Sequence, residues 1–293
     1  MTVEVACVVD CRDLLGESPI WCPVDQRLYW LDIKGQSISW FTPATGEYMQ
    51  VPVEEQPGAL VLRERGGMVV AFFGGFRFFD PETGAVETIH KVDADVADSR
   101  LNDGRCDRQG RFWAGSMDNA MTGRAVGSLY RLDHDLGLHK ADSGIIVSNA
   151  LAFSPEGDVM YFGDLGQDVI WAYDLDTATG AISNKRVFAG PGSAPGLPDG
   201  STVDAEGYVW SARWKGWCLA RFAPDGTLDR TVEIPLQLIT CPMFGGPDLD
   251  VLYVTTSRFR LSGDELVGQE QAGGVYAVTG TGCTGLPEPR FRG

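Results

Sequence analysis

One spacing recurs along this 293-residue chain: Asn102, Asn149 and Asp199 each stand eight residues ahead of a glycine. The segments are NDGRCDRQG (Asn102 to Gly110), NALAFSPEG (Asn149 to Gly157) and DGSTVDAEG (Asp199 to Gly207). A fourth, ESPIWCPVD (Glu17 to Asp25), ends on another turn residue at the same distance. A repeated strand and turn constrain the fold strongly, because one such unit cannot bury its apolar face without neighbours. In a closed, repeated sheet, equivalent positions point to one place. Here one position of the repeat carries Glu, Asn, Asn and Asp.

The stretches between the turns are short and rich in Val, Ile, Tyr, Phe and Trp, as in RLYWLDI (Arg27 to Ile33), GSLYRLD (Gly127 to Asp133) and VLYVTT (Val251 to Thr256). These are strand patterns, and the class read from them is all-β. No long amphipathic helix is expected; Asp93 to Arg100 has room for one turn. The unit recurs near Trp21, Leu60, Cys106, Phe153, Val203 and Met243. Its period of about 40–50 residues suits four-stranded propeller blades. Several units end in related hairpins, such as PATG at Pro43 and PETG at Pro81.

Six units fill roughly residues 17–286 and leave Thr2 to Val9 as a further strand. A propeller must close its ring so that no blade edge stays unpaired. The expectation is a six-bladed β-propeller in a single domain, 1–293, closed by the N-terminal strand pairing into the last blade, formed by about 241–286. A sandwich, or two small β domains, is the alternative.

Charge narrows the partners. The net charge of −16 argues against nucleic acid and anionic membrane, which both need basic patches. The acidic N-terminus lacks the basic start and small-residue cleavage site of a signal peptide, so a cytoplasmic protein is expected, as a monomer or weak homo-oligomer. The seven cysteines form no C-x-x-C and read as reduced, buried thiols. The three histidines, His90, His134 and His139, all miss the repeated position and read as surface residues, which leaves little for a His-based triad or zinc site. The Gly-Gly pairs lie between strands with no helix following, so none reads as a phosphate loop.

If Glu17, Asn149 and Asp199 meet near the axis, two carboxylates and an amide oxygen form a cation site. Without a cation, the carboxylates would raise each other's pKa. Such hard oxygen ligands suit Ca²⁺, Mg²⁺, Mn²⁺ or Fe²⁺ before Zn²⁺. Asn and Asp are also ordinary turn residues. A generic turn requirement would, however, populate all six units, and units two and six carry Gly58–Ala59 and Cys241–Pro242 there. Arg100 alternates onto the face of Asn102, where it could bind a polar substrate or balance nearby aspartates. Trp214 and Trp217 could wall a pocket or pack between blades.

GESPIW at Gly16, RLNDG at Arg100, GRFWAGSM at Gly110, SNALAFS at Ser148, PDG at Pro198 and AGGVY at Ala272 are similar, in order, to the gluconolactonase, senescence-marker-protein and luciferin-regenerating-enzyme family. The resemblance spans nearly the whole chain. It implies a six-bladed propeller that opens sugar lactones with one divalent metal. It assigns the metal to Glu17, Asn149 and Asp199, and substrate contact to Arg100 and Asn102. Some members use a further Glu where this chain has Ala120; Asp118 or Asn119 would then substitute. Asp199, as metal ligand and proton acceptor, is the expected general base. An organophosphate or aryl-ester hydrolase and a non-catalytic Ca²⁺-binding propeller are the rival readings.

Overall fold

The computed structural model describes residues 2–293. It contains six four-stranded antiparallel sheets, the blades of a propeller. Five take their strands in chain order. Blade 1 runs from Gly16–Cys22 through Arg27–Asp32 and Ser37–Thr42 to Glu47–Pro52. Blades 2 to 5 open on Pro57–Leu62, Ser99–Cys106, Ser148–Phe153 and Leu197–Val203. Blade 6 takes Ile239–Gly245, Val251–Thr256 and Val275–Thr279, and its fourth strand is the N-terminal Glu4–Val9, with Glu4 opposite Thr279 and Val5 opposite Val278.

The first strands are buried almost throughout, without polar alternation, because sheets cover both of their faces. They touch in a ring, each against the next and blade 6 against blade 1. Fourth strands such as Glu47–Pro52 and Leu228–Glu233 face solvent. The apolar core lies between blades. Val69 and Phe76 of blade 2, for example, cluster with Phe112 and Leu132 of blade 3.

Two repeated devices fix the first hairpin of several blades. Trp30, Trp113 and Trp210 are wholly buried, and their indole N–H groups donate to Asp13 (2.7 Å), Asp107 (3.0 Å) and Asp204 (2.9 Å). The other carboxylate oxygens of Asp107 and Asp204 accept backbone N–H groups of the turn that follows. The glycines that mark the sequence repeat close these turns: Gly110, Gly157 and Gly207 have φ of 84°, 77° and 88°, open to glycine at little cost.

All six first strands also carry a β-bulge at the same level, at Glu17/Ile20, Pro57/Ala59, Leu101/Gly104, Asn149/Ala152, Pro198/Ser201 and Ile239/Cys241. A bulge leaves residues unpaired and re-aims their side chains.

The C-terminal tail departs from the expected last unit. Blade 6 strands end at Thr279. The chain then bridges Asp204 at Gly285 and Arg63 at Phe291. Phe291 is fully buried and Glu288 ion-pairs with Arg105, so burial and charge pairing hold this segment rather than a further strand. Asp93 to Arg100 forms turns and then enters the blade 3 strand at Ser99. Among the described residues the only helical element is the 3-10 turn Leu165–Gln167, and no helix is long and apolar enough to cross a membrane. All seven cysteines are free thiols.

Candidate active site

The bulges bring together what the sequence spacing had set apart. Glu17, Asn102, Asn149 and Asp199 come from the first strands of blades 1, 3, 4 and 5 and, with Arg100, line one cavity of about 60 Å³. All five side chains are buried. The bulges in blades 1 and 4 hold Ser18 and Ala150 at φ of 51° and 52°, a left-handed conformation that non-glycine residues adopt only when the surroundings enforce it.

Units two and six do something else at this level. A Cβ on Gly58 would run into the Leu101 carbonyl and lie 3.0 Å from the Asn102 Cα, so glycine is what lets blade 3 approach. In blade 6 the bulged residue is Thr240, one position before the expected Cys241–Pro242 pair. Its hydroxyl donates to the Gly16 carbonyl at 2.6 Å, beside Glu17. The two uncharged positions thus pack and tether the ring beside the site.

A relay of hydrogen bonds orients the polar groups. Arg100 Nη1 donates to Asn102 Oδ1 at 2.6 Å and to the Leu101 carbonyl at 3.1 Å. Asn102 therefore turns its Nδ2 to the Ser148 carbonyl (2.7 Å) and to Asn149 Oδ1 (3.2 Å). Buried Arg100 Nε has no partner among the described residues.

Burial, then repulsion from Asp103, pushes the Glu17 carboxyl far above its usual range. Asp199 is pushed up by burial and then by Glu17. Among the described residues neither carboxylate has a Lys or Arg nitrogen within 4.0 Å. Burial lowers the pKa of Arg100 to about 10, against the pull of Glu17 and Asp199. Two coupled, buried carboxylates beside an amide oxygen fit a divalent cation, which would relieve their repulsion.

A second acidic cluster makes the contrast. Asp204, Glu206 and Cys283 each offer one ligand atom within 4.8 Å of the others. Arg221 donates to Asp204 at 2.8 Å and to Glu206 at 2.6 Å, so a guanidinium already supplies the positive charge.

Of the two side chains after the Gly-Ser-Met segment, Asn119 lines the cavity and Asp118 does not. Asp118 ends the second strand of blade 3, as Asp32 and Asp164 end theirs in blades 1 and 4. All three carboxylates tie down the loop next to them. Asp32 accepts the N–H of Leu14, Leu15 and Gly35, and Asp164 that of Ile146, Val147 and Gly166. Asp118 accepts the Thr122 N–H and pairs with Arg124 at 2.6 Å, which holds its carboxyl well below the usual range.

Residues at or just beyond the ends of the second strands reach the cavity: Lys34, Asn119, Leu165 and, in blades 5 and 6, Trp214 and Phe259. Sequence reasoning missed Lys34 and Phe259. For Lys34 the signal was a second repeat offset, one hairpin beyond the first, marked in blades 1, 3 and 4 by the strand-ending aspartate; the blade 6 strand before Phe259 ends on Thr256 and carries no such mark. Trp217 stays on the surface, about half exposed. The histidines sit on outer strands or turns away from the cavity; His139 lies on the strand Leu138–Ile145 rather than in a loop, beside Asp133 at 3.0 Å.

Residues 15–258 match the SMP-30/Gluconolactonase/LRE-like region. The chain belongs to this family. It is 36% identical to a pentonolactonase of Haloferax volcanii over 293 residues, 98% of each chain. It is 36% identical to an L-arabinolactonase of Azospirillum brasilense over 294 residues, covering 99% of this chain and 96% of that one. Among solved structures, a calcium-binding protein, regucalcin, from Agrobacterium tumefaciens superposes with a TM-score of 0.92 at 30% identity, covering 98% of this chain and 96% of that one.

Proposed function

We propose that this protein hydrolyses a sugar lactone to the free sugar acid, as a single domain, with one divalent cation held by Glu17, Asn149 and Asp199. The observation that carries the reading is the buried, unneutralised Glu17–Asp199 pair facing Arg100 and Asn102 across one cavity. The lactonase names of two relatives and the calcium-binding name of a third point the same way.

A lactone is an internal ester. Opening it needs a water made nucleophilic and a carbonyl made electrophilic. A divalent cation, when bound, supplies both effects by polarising the carbonyl and acidifying water. Asp199 takes a proton from the attacking water as general base. The water oxygen bonds to the carbonyl carbon, the ring C–O bond breaks, and the proton passes to the leaving ring oxygen. Arg100 and Asn102 donate N–H bonds to the sugar and hold it in register. The apolar side chains of Leu15, Met117 and Val147 help exclude bulk water. At about 60 Å³ the enclosed cavity holds roughly two waters' volume, so most of the sugar extends outward past Asn119 and Lys34.

The test is acid release from glucono-, xylono- and arabinono-lactone by chelated protein reloaded with Ca²⁺, Mg²⁺, Mn²⁺, Fe²⁺ or Zn²⁺. Reloaded wild type should open at least one lactone, and Asp199→Asn should not. Near-normal turnover by Asp199→Asn refutes the assignment. Calcium binding without acid release from any lactone would instead favour a calcium-binding protein.

A further inference from the structure

Lys34 brings to the cavity a positive charge that, among the described residues, no carboxylate within 4.0 Å neutralises. Lys34 Nζ donates to Gln56 Oε1 at 3.1 Å and Asn119 Oδ1 at 3.0 Å, both neutral amides. It stands 5.5 Å from the Phe259 ring centroid. Among the described residues, neither Lys34, Arg100 nor Arg260 has a carboxylate within 4.0 Å, although carboxylates outnumber cationic side chains 40 to 24. The acid whose charge reaches Lys34 is Asp98, and Asp98 accepts a hydrogen bond from Asn119 Nδ2 at 3.1 Å. Of the two cations that line the cavity, Arg100 feels Glu17 and Asp199, whereas Lys34 is held by neutral amides alone, with Arg260 beside Phe259 just outside the lining.

The cations also oppose each other. The Lys34 ammonium is lowered to about 8 by burial first, and then by repulsion from Arg100 and Arg260. Such an arrangement costs stability unless something negative arrives. Arg100 is fully buried with its Nε unpartnered, and Lys34 is half-buried with one N–H left over beyond its two amide bonds. The Glu17–Asp199 end of the cavity is suited to the lactone carbonyl, so Lys34 faces the opposite end of the sugar.

We propose that Lys34 selects lactones bearing an anionic group, a carboxylate or a phosphate, at the end of the sugar remote from the ring carbonyl. The inference rests on the lactonase reading and sharpens its substrate class. The bond expected is charge-assisted, from the free ammonium N–H to the anion, and Phe259 beside it lowers the local dielectric.

The experiment compares kcat/KM for three lactones: neutral aldonolactone, an aldarolactone with a terminal carboxylate, and a 6-phosphoaldonolactone. Wild type, Lys34→Met and Lys34→Arg are assayed side by side. Wild type should favour one of the anionic pair, and which one identifies the anion. Lys34→Met should lower kcat/KM for that lactone by about tenfold to a hundredfold, mostly through KM, and change the neutral one by less than about threefold. Lys34→Arg should keep the preference. A wild type that opens neutral lactone equally well, or a Lys34→Met loss equal on both, overturns the inference and leaves the lactonase reading standing. If wild type opens no lactone, that reading fails, and calorimetry decides the inference alone. Tighter binding of an aldarate dianion than an aldonate monoanion, abolished in Lys34→Met, sustains it; equal binding overturns it.

Discussion

A buried ion pair between the inner strand of blade 3 and the C-terminal tail makes a demanding prediction. Arg105 Nη1 lies 3.4 Å from Glu288 Oε2, with side chains only 7% and 8% exposed. The guanidinium also donates to the Leu151 carbonyl (3.2 Å) and the Ser201 carbonyl (3.0 Å). Replacing Glu288 by Met keeps the volume but strands a buried cation, which costs about 3–5 kcal/mol. With a urea m-value of roughly 3 kcal/mol/M for a chain this size, the midpoint should fall by about 1–1.7 M.

The double variant Arg105→Met, Glu288→Met removes both charges. It leaves two carbonyls short of a donor, at about 1–3 kcal/mol, but no unpaired ion. It should therefore be more stable than the sum of the single losses by at least about 2 kcal/mol. Additivity within about 0.5 kcal/mol would refute the pairing argument. Leu151 and Ser201 stand two residues beyond Asn149 and Asp199 on the same strands, so Glu288→Met should also weaken metal binding.

In chelated protein, the raised Glu17 and Asp199 carboxyls bind protons more tightly folded than unfolded, so the stability they add at low pH is lost as pH rises through their raised folded values, about 8 for Glu17. Asp199→Asn should then raise the metal-free melting temperature more at pH 9 than at pH 5; a gap that does not widen with pH contradicts the repulsion between the two carboxyls. Gly200→Ala places a Cβ 2.5 Å from Cys241 Cβ, so about 1–3 kcal/mol of stability should be lost in denaturant titration, with Asp199 displaced and turnover reduced. Arg100→Ala should chiefly raise KM for the lactone, and a fall in kcat at constant KM would show that it acts in the transition state instead.

Much of the fold was open to sequence reasoning because its signals are local. Short β-branched and aromatic runs between Gly, Asn and Asp turns mark strands wherever they occur, and the eight-residue spacing from Asn149 to Gly157 is the length of one inner strand and its turn. The tail was harder to place. Nothing near Glu288 in the chain says that its partner is Arg105, because that partner lies 183 positions away. Asp118 misled for a related reason: its role is shared with Asp32 and Asp164, and only the aligned second strands reveal it.

Taken alone, the amino-acid order settled the class, the number of blades and the four oxygen-bearing positions, because periodicity survives without coordinates. Closing the ring decided the rest. It converted Gly58 and Thr240 from gaps in a pattern into packing and tethering residues, turned Asp118 to its own loop, and carried Lys34 and Phe259 to the cavity. Those outcomes depend on approach distances between strands from different blades, which neither propensity nor spacing encodes.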